Sequence, residues 1–163
     1  MILTGLPPII DERARVLILG SFPSAASLAA GQYYAHPRNQ FWRLLGAARG
    51  LPLQNLDYPI RVEAVQAAGI AIWDVFASCS RDGSLDASIR DPVANDFHAL
   101  RELAPRLRRI CFNGRMAARR IREVEALGFA ALVLPSTSPA HAGMSFAAKL
   151  ARWQAALQTG GSV

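Results

Sequence analysis

The sequence predicts an α/β protein: a three-layer α/β/α sandwich with a central, mostly parallel four-stranded sheet. Two observations carry this expectation. Four short apolar runs, Val16–Leu19, Ile70–Val75, Arg109–Phe112 and Ala130–Leu134, alternate with segments of helical spacing, and that alternation makes parallel sheets. The runs are apolar on both faces, as strands covered by helices on either side must be.

The intervening helices follow in order. Phe41, Trp42, Leu44, Leu45 and Ala48 recur at three and four residues, and the segment stops at Gly50. The pattern returns from Ile60 to Ala68 and ends at Gly69. Asn95 is expected to cap a helix through Phe97, Leu100, Leu103 and Ala104, stopped by Pro105. Met116 to Leu127 is closed by Gly128 in the usual helix C-terminal position. Met144 to Leu157 is the last, and the tail 159–163 is expected to fray. With 163 residues and no break in composition, a single domain over 1–163 is expected.

Composition narrows the function. Hydrophobic residues are 52% and charged residues 18%, a globular balance. No apolar run approaches the roughly 18 residues of a membrane span. The N-terminal stretch lacks a basic region and breaks at Pro7-Pro8, so no signal peptide and a cytoplasmic location are expected. Cys79 and Cys111 are too few and too separated for a disulfide framework or a zinc ribbon, and read as reduced thiols. The net charge is +6 and the pI about 10.3, with Lys149 the only lysine among the basic residues. A polyanionic partner, nucleic acid before membrane, fits that excess.

Ligands of open α/β sheets bind beyond the carboxyl ends of the strands. Four segments qualify: 20–24, 77–91, 113–114 and 135–143. The first opens the richest stretch of the chain, GSFPSAASLAAGQYYAHPRNQFW from Gly20 to Trp42. Connections this long and aromatic are usually functional. His36, His98 and His141 do not stand with Cys, Asp or Glu at metal-ligand spacing, so no metal is expected. No nucleophile elbow or phosphate loop is present. The dinucleotide fingerprint fails at Pro23 for want of a second glycine, and Lys149, the only amine for imine chemistry, lies mid-helix. What remains is polar, flat and neutral. Phe22, Tyr33, Tyr34, Phe41 and Trp42 offer stacking walls. Asn39 offers an amide, and Asp74 a carboxylate that is costly to bury alone. Ser136, Thr137 and Ser138 offer hydroxyls and amides to phosphate. Together these suggest recognition of a nucleobase.

The same stretch resembles the first motif of the uracil-DNA glycosylase superfamily, and most closely its DNA-deoxyinosine (hypoxanthine) glycosylase branch. AIWDVFASCSRDGSLDASI (Ala71–Ile89) and LPSTSPAHAG (Leu134–Gly143) resemble further blocks of that branch, in the same order. The resemblance implies a glycosylase-like fold and a monofunctional enzyme without cofactor, acting on damaged DNA as a monomer. Such an enzyme flips a deaminated nucleotide out of DNA and hydrolyses its N-glycosidic bond. In the wider superfamily an Asp or Asn in the third place of the Gly-x-x-Pro loop handles the water. Here that place is Phe22, so the resemblance moves the catalytic role to Asn39 and makes Phe22 a platform under the base. It assigns base contact to Asp74, Tyr33, Gly20 and Ser21. It assigns DNA contact to Ser24, Ser136 and Ser138, with Ala140 or His141 as the wedge.

Structural explanations stand beside these. Asn39 can cap the helix at Phe41, Asp74 can pair with Arg81, and His36 can order its own loop. Phe41 and Trp42 can be core, and Tyr33 and Tyr34, being adjacent, can point apart. Three other functions also stay open. One is removal of uracil from G:U mismatches, and another is DNA binding by a relative that has lost catalysis. The third is an enzyme of free nucleosides.

Overall fold

The burial pattern of one strand, residues 16–20, organises the molecule. The computed structural model describes residues 1–141 and 143–158; the tail expected to fray lies outside them. In chain order the elements are β1 (Leu3–Thr4), β2 (Val16–Gly20), α1 (Ala25–Ala30), α2 (Phe41–Arg49), α3 (Tyr58–Ala67), β3 (Ile70–Asp74) and β4 (Phe76–Ser80). They continue with β5 (Arg90–Ala94), α4 (Leu100–Leu103), β6 (Arg109–Asn113), α5 (Ile121–Ala126), β7 (Ala130–Leu134) and α6 (Phe146–Leu157).

The main sheet has the order β3-β2-β6-β7, and every pairing is parallel. All five residues of β2 are buried. Side chains alternate between the faces of a strand, and the two cores divide accordingly. Leu17 and Leu19 join Ile110, Phe112, Leu100 and Val124 on the side of α4 and α5. Val16 and Ile18 join Phe41, Leu44, Val65 and Trp153 on the side of α2, α3 and α6. The three layers are therefore those expected. Each fully buried large apolar side chain contributes about 1.5–3 kcal/mol, so both faces of β2 hold the layers together. The outer strand β7 departs from the expectation of burial on both faces: Leu132 and Val133 are 40% and 39% exposed.

The register sets the site. Gly20 pairs with Asp74 across β2 and β3, and Asn113 ends β6 beside them. Three strand ends thus open on the same edge of the sheet.

The segment after β3 holds more structure than its sequence suggests. Only Val75 separates β3 from β4, and β4 pairs antiparallel with β1 and β5 in a second, three-stranded sheet. Its short polar strands lack the apolar signal that marks the others. A six-residue helix, α1, also lies inside the long first loop. Asn95 does not cap the helix after it. Asp96 does, accepting from the His98 N–H at 2.9 Å, while Asn95 donates to the Asp74 carbonyl at 2.8 Å. The helix expected from Met116 begins as a 3-10 turn at Ala117 and becomes α-helical at Ile121. Ser145 caps α6 by accepting from the Ala148 N–H at 3.1 Å.

Phe112 is fully buried at the centre of the α4/α5-side core. Phe112→Ala is expected to cost about 3–5 kcal/mol, read as a lower urea midpoint with unchanged slope. A loss under about 1 kcal/mol would contradict this packing account.

Candidate active site

A cavity of about 540 Å³ opens beyond the carboxyl ends of β2, β3 and β6. Its floor exists because Gly20 has no side chain. A Cβ there would lie 2.6 Å from Asp74 Oδ1 and 2.8 Å from the Tyr34 hydroxyl. Contacts that short do not occur, so glycine is what leaves room for both a carboxyl and a phenol beside the end of β2. Asp74 is 4% exposed, and its Oδ2 has no hydrogen-bond partner among the described residues. Burial, first, and then the nearby Asp86 push its carboxyl from 3.8 up to about 7, with Arg81 opposing. No Asp74–Arg81 ion pair forms. Arg81 instead donates to the carbonyls of Gly83 (2.9 Å) and Pro23 (2.6 Å).

The two adjacent tyrosines part ways. Tyr34 adopts a left-handed φ of 54°, a conformation uncommon outside glycine. Its ring stacks on Phe41 at 3.8 Å with an 11° tilt. Tyr33 is buried, and its hydroxyl is hydrogen-bonded to the carbonyls of Leu6 and Pro7 at 3.2 and 2.9 Å. Tyr33 contributes to the cavity wall, but the hydroxyl at the floor is that of Tyr34.

The polarity of that hydroxyl is set from β6. The Thr137 N–H donates to Asn113 Oδ1 at 3.0 Å, which fixes the amide orientation. Asn113 Nδ2 then donates to Thr137 Oγ1 (3.0 Å) and to the Tyr34 oxygen (3.2 Å). The Tyr34 oxygen is thus an acceptor toward Asn113, and its proton has no acceptor among the described residues. Burial, foremost, raises the Tyr34 phenol well above its ordinary range, so it stays protonated.

Asn39 lines the same cavity. Its Oδ1 accepts from the Phe41 N–H at 2.9 Å, so it tethers the start of α2 as the structural explanation holds. Both amide protons and the second lone pair of the carbonyl remain for the cavity. The neighbouring Gln40 anchors two loops. Its N–H donates to the Thr137 carbonyl at 3.0 Å, and its side chain accepts from Lys149 Nζ at 3.1 Å. Lys149, 2% exposed, also donates to the His141 carbonyl at 2.9 Å. The only lysine of the chain therefore joins α6, the start of α2 and the loop after β7.

Every residue named from sequence for catalysis, base contact or DNA contact lines this one cavity. Several of their polar groups are already engaged. The Ser24 hydroxyl caps α1, accepting from the Ser27 N–H at 3.1 Å. The Ser21 hydroxyl donates to Asp86 at 2.6 Å. Ser136 and Ser138 accept from backbone N–H groups two residues ahead, at 3.1 and 3.2 Å, which shapes the loop that ends in exposed Ala140 and His141. His36 accepts from the Arg38 N–H at 3.1 Å and orders its own turn. Phe22 is largely buried, with the Arg81 guanidinium 5.3 Å from its ring centre. Phe41 and Trp42 are core. The sequence marks Tyr34 only as a stacking wall and Thr137 only as a phosphate contact, and gives neither Asp86 nor Asn113 a role at the site. Asn113 had a signal that could have been used: like Asp74, it ends a buried apolar run with a polar group. Among the described residues no cluster of His, Cys, Asp or Glu can hold a metal. No helix among them is long and apolar enough to cross a membrane.

A cavity beyond the carboxyl ends of a parallel sheet is where enzymes of this α/β/α architecture bind their ligands, and comparison with known proteins gives the family. Residues 7–158 match the family model of the uracil DNA glycosylase superfamily, and the chain belongs to that superfamily. A Methanosarcina acetivorans protein named hypoxanthine DNA glycosylase is 45% identical over 86% of this chain and 89% of its own. A Methanosarcina barkeri protein of the same name is 42% identical over 84% and 87%. A solution NMR structure of a candidate uracil DNA glycosylase from M. acetivorans superposes with a TM-score of 0.88 at 42% identity. It covers 96% of this chain and 97% of that one.

The Asp74 carboxyl keeps its proton to about pH 7 in the fold, against 3.8 ordinarily. The native state therefore holds the extra proton between those values, and the group's contribution to stability declines as pH rises through that window. Asp74→Asn is expected to remove this slope, so the variant gains stability relative to wild type between about pH 4 and pH 8. Urea unfolding across that range checks it, and a wild-type advantage that grows with pH would contradict it.

Proposed function

We propose that the protein is a monofunctional DNA glycosylase that releases hypoxanthine from deoxyinosine in DNA, acting as a monomer and without a cofactor. The observation that carries the reading is the presence of Asp74, Tyr34 and Asn39 in the lining of one cavity. The names of its relatives support hypoxanthine as the base.

The chemistry follows from where charge develops. As the glycosidic bond stretches, positive charge grows on the sugar and negative charge on the departing base. Groups already aimed at those charges lower the barrier. Tyr34 presents its proton to the cavity, because Asn113 occupies its oxygen. That proton suits a ring carbonyl, which hypoxanthine has where adenine has an amine. Asp74, kept neutral up to about pH 7 by burial, donates a second hydrogen bond to the leaving base. Were it ionised, it would repel the charge it must receive. Asn39 holds the attacking water with the amide protons and lone pair left free by its bond to Phe41. The oxocarbenium-like sugar needs a positioned water more than a strong base. A base must leave the duplex to enter the slot, at a cost of a few kcal/mol. The excess positive charge of the chain supports backbone binding that offsets it.

Two measurements test the mechanism. Asn39→Ala is expected to lower single-turnover release of hypoxanthine at least ~10²-fold, with binding to lesion DNA little changed. It should also cost about 1 kcal/mol of stability through the lost tether at Phe41. Stability loss with turnover intact would leave Asn39 a tether only. Wild-type turnover should be flat below pH 7 and fall as Asp74 ionises above it. Asp74→Asn, a neutral donor at every pH, should flatten that decline. Turnover that rises through pH 7 would refute the donor role.

A further inference from the structure

An extruded nucleotide leaves a gap in the stack, and proteins that hold duplexes open commonly fill such gaps with an apolar side chain. The exposed tip of the loop after β7 carries Pro139, Ala140 and His141, of which only Pro139 is an apolar candidate, and Met144 further along is half-buried. A second segment that lines the same cavity, 84–86, is different. Leu85 lines the mouth and is 60% exposed.

An exposed leucine alone means little; what distinguishes this one is how it is held. The residue before it, Ser84, accepts from the Ala25 N–H at 2.9 Å. The residue after it, Asp86, accepts from the Ser21 hydroxyl at 2.6 Å. Its own carbonyl accepts from the Ser88 N–H at 3.0 Å, opening a short 3-10 turn. Upstream, Arg81 bonds the Gly83 and Pro23 carbonyls. Both flanks of Leu85 are thus fastened to the first loop, and the side chain is presented to solvent from a braced turn.

We propose that Leu85 is the wedge, entering the base stack from this segment while the lesion occupies the cavity. The inference rests on the DNA glycosylase reading and adds to it a residue that acts on the duplex rather than on the bond. Leu85 is a surface side chain, and its truncation should leave the fold unchanged.

The test has two arms. In the first, single-turnover release of hypoxanthine is measured from deoxyinosine in duplex and in single-stranded oligonucleotides. Leu85→Ala should lower the duplex-to-single-strand ratio of rates at least ~10-fold, because only the duplex needs its stack opened. Leu85→Phe should restore most of that ratio. In the second, a duplex carrying a tetrahydrofuran abasic analogue beside 2-aminopurine reports stacking without any chemistry. Wild type should raise the emission at least ~2-fold, and Leu85→Ala should lose most of that rise. An unchanged ratio would overturn the proposal. So would an emission rise that survives in Leu85→Ala or disappears instead in His141→Ala. If wild type releases no hypoxanthine from either substrate, the glycosylase reading fails. The emission arm alone then decides whether Leu85 opens DNA, and no rise with wild type counts against it.

Discussion

The site depends on an absence of atoms at Gly20. Parallel register brings Gly20 level with Asp74, and the positive-φ turn at Tyr34 returns a phenol to the same point. A single methyl group would occupy the place where carboxyl and hydroxyl approach. Burial beside that point leaves one Asp74 oxygen without a partner among the described residues and, with the nearby Asp86, raises the carboxyl's proton affinity toward neutrality. An isolated buried carboxyl destabilises a fold. The surrounding strands, buried on both faces, supply the stability that tolerates it.

The polar network around the floor shows how orientation is passed between elements. A backbone N–H of Thr137 sets the Asn113 amide, which sets the Tyr34 hydroxyl, which presents a proton to the cavity. Gln40 and Lys149 fasten the start of α2 to the loop after β7. Several arginines are likewise occupied within the fold. Arg109 bonds the Ala156 carbonyl, and Arg101 bonds the Leu127 carbonyl and lies 4.0 Å from the Phe129 ring centre. The surplus of positive charge is thus not all free for DNA.

Legibility in the sequence followed the strength of each physical signal. The runs at 16–19, 70–75, 109–112 and 130–134 are apolar enough to be recognised as strands of one sheet, and the aligned strand ends then located the cavity. Asn39 and Asp74 stood out because a polar group in such a place needs a reason. What stayed hidden depends on bonds between distant residues. The second sheet is built from short, polar, partly exposed strands with no periodic signal. The choice of Tyr34 over Tyr33 depends on one backbone angle. The reassignment of Arg81 from Asp74 to two carbonyls depends on where the 81–88 segment lies against the first loop. Capping by Asp96 rather than Asn95 was a choice between two good caps, decided by the bond from Asn95 to the Asp74 carbonyl.

The central claim is geometric: one pocket admits an extruded base and presents Asp74 and Tyr34 to one side of it and Asn39 to the sugar. The most direct measurement is a crystal structure of the Asn39→Ala variant bound to a duplex containing deoxyinosine. The account predicts hypoxanthine outside the helix, in the cavity above Gly20, with the Tyr34 hydroxyl and the Asp74 carboxyl in hydrogen-bonding distance of the ring. A complex in which the base remains stacked in the duplex, or enters the cavity with both groups turned away from it, would contradict the account.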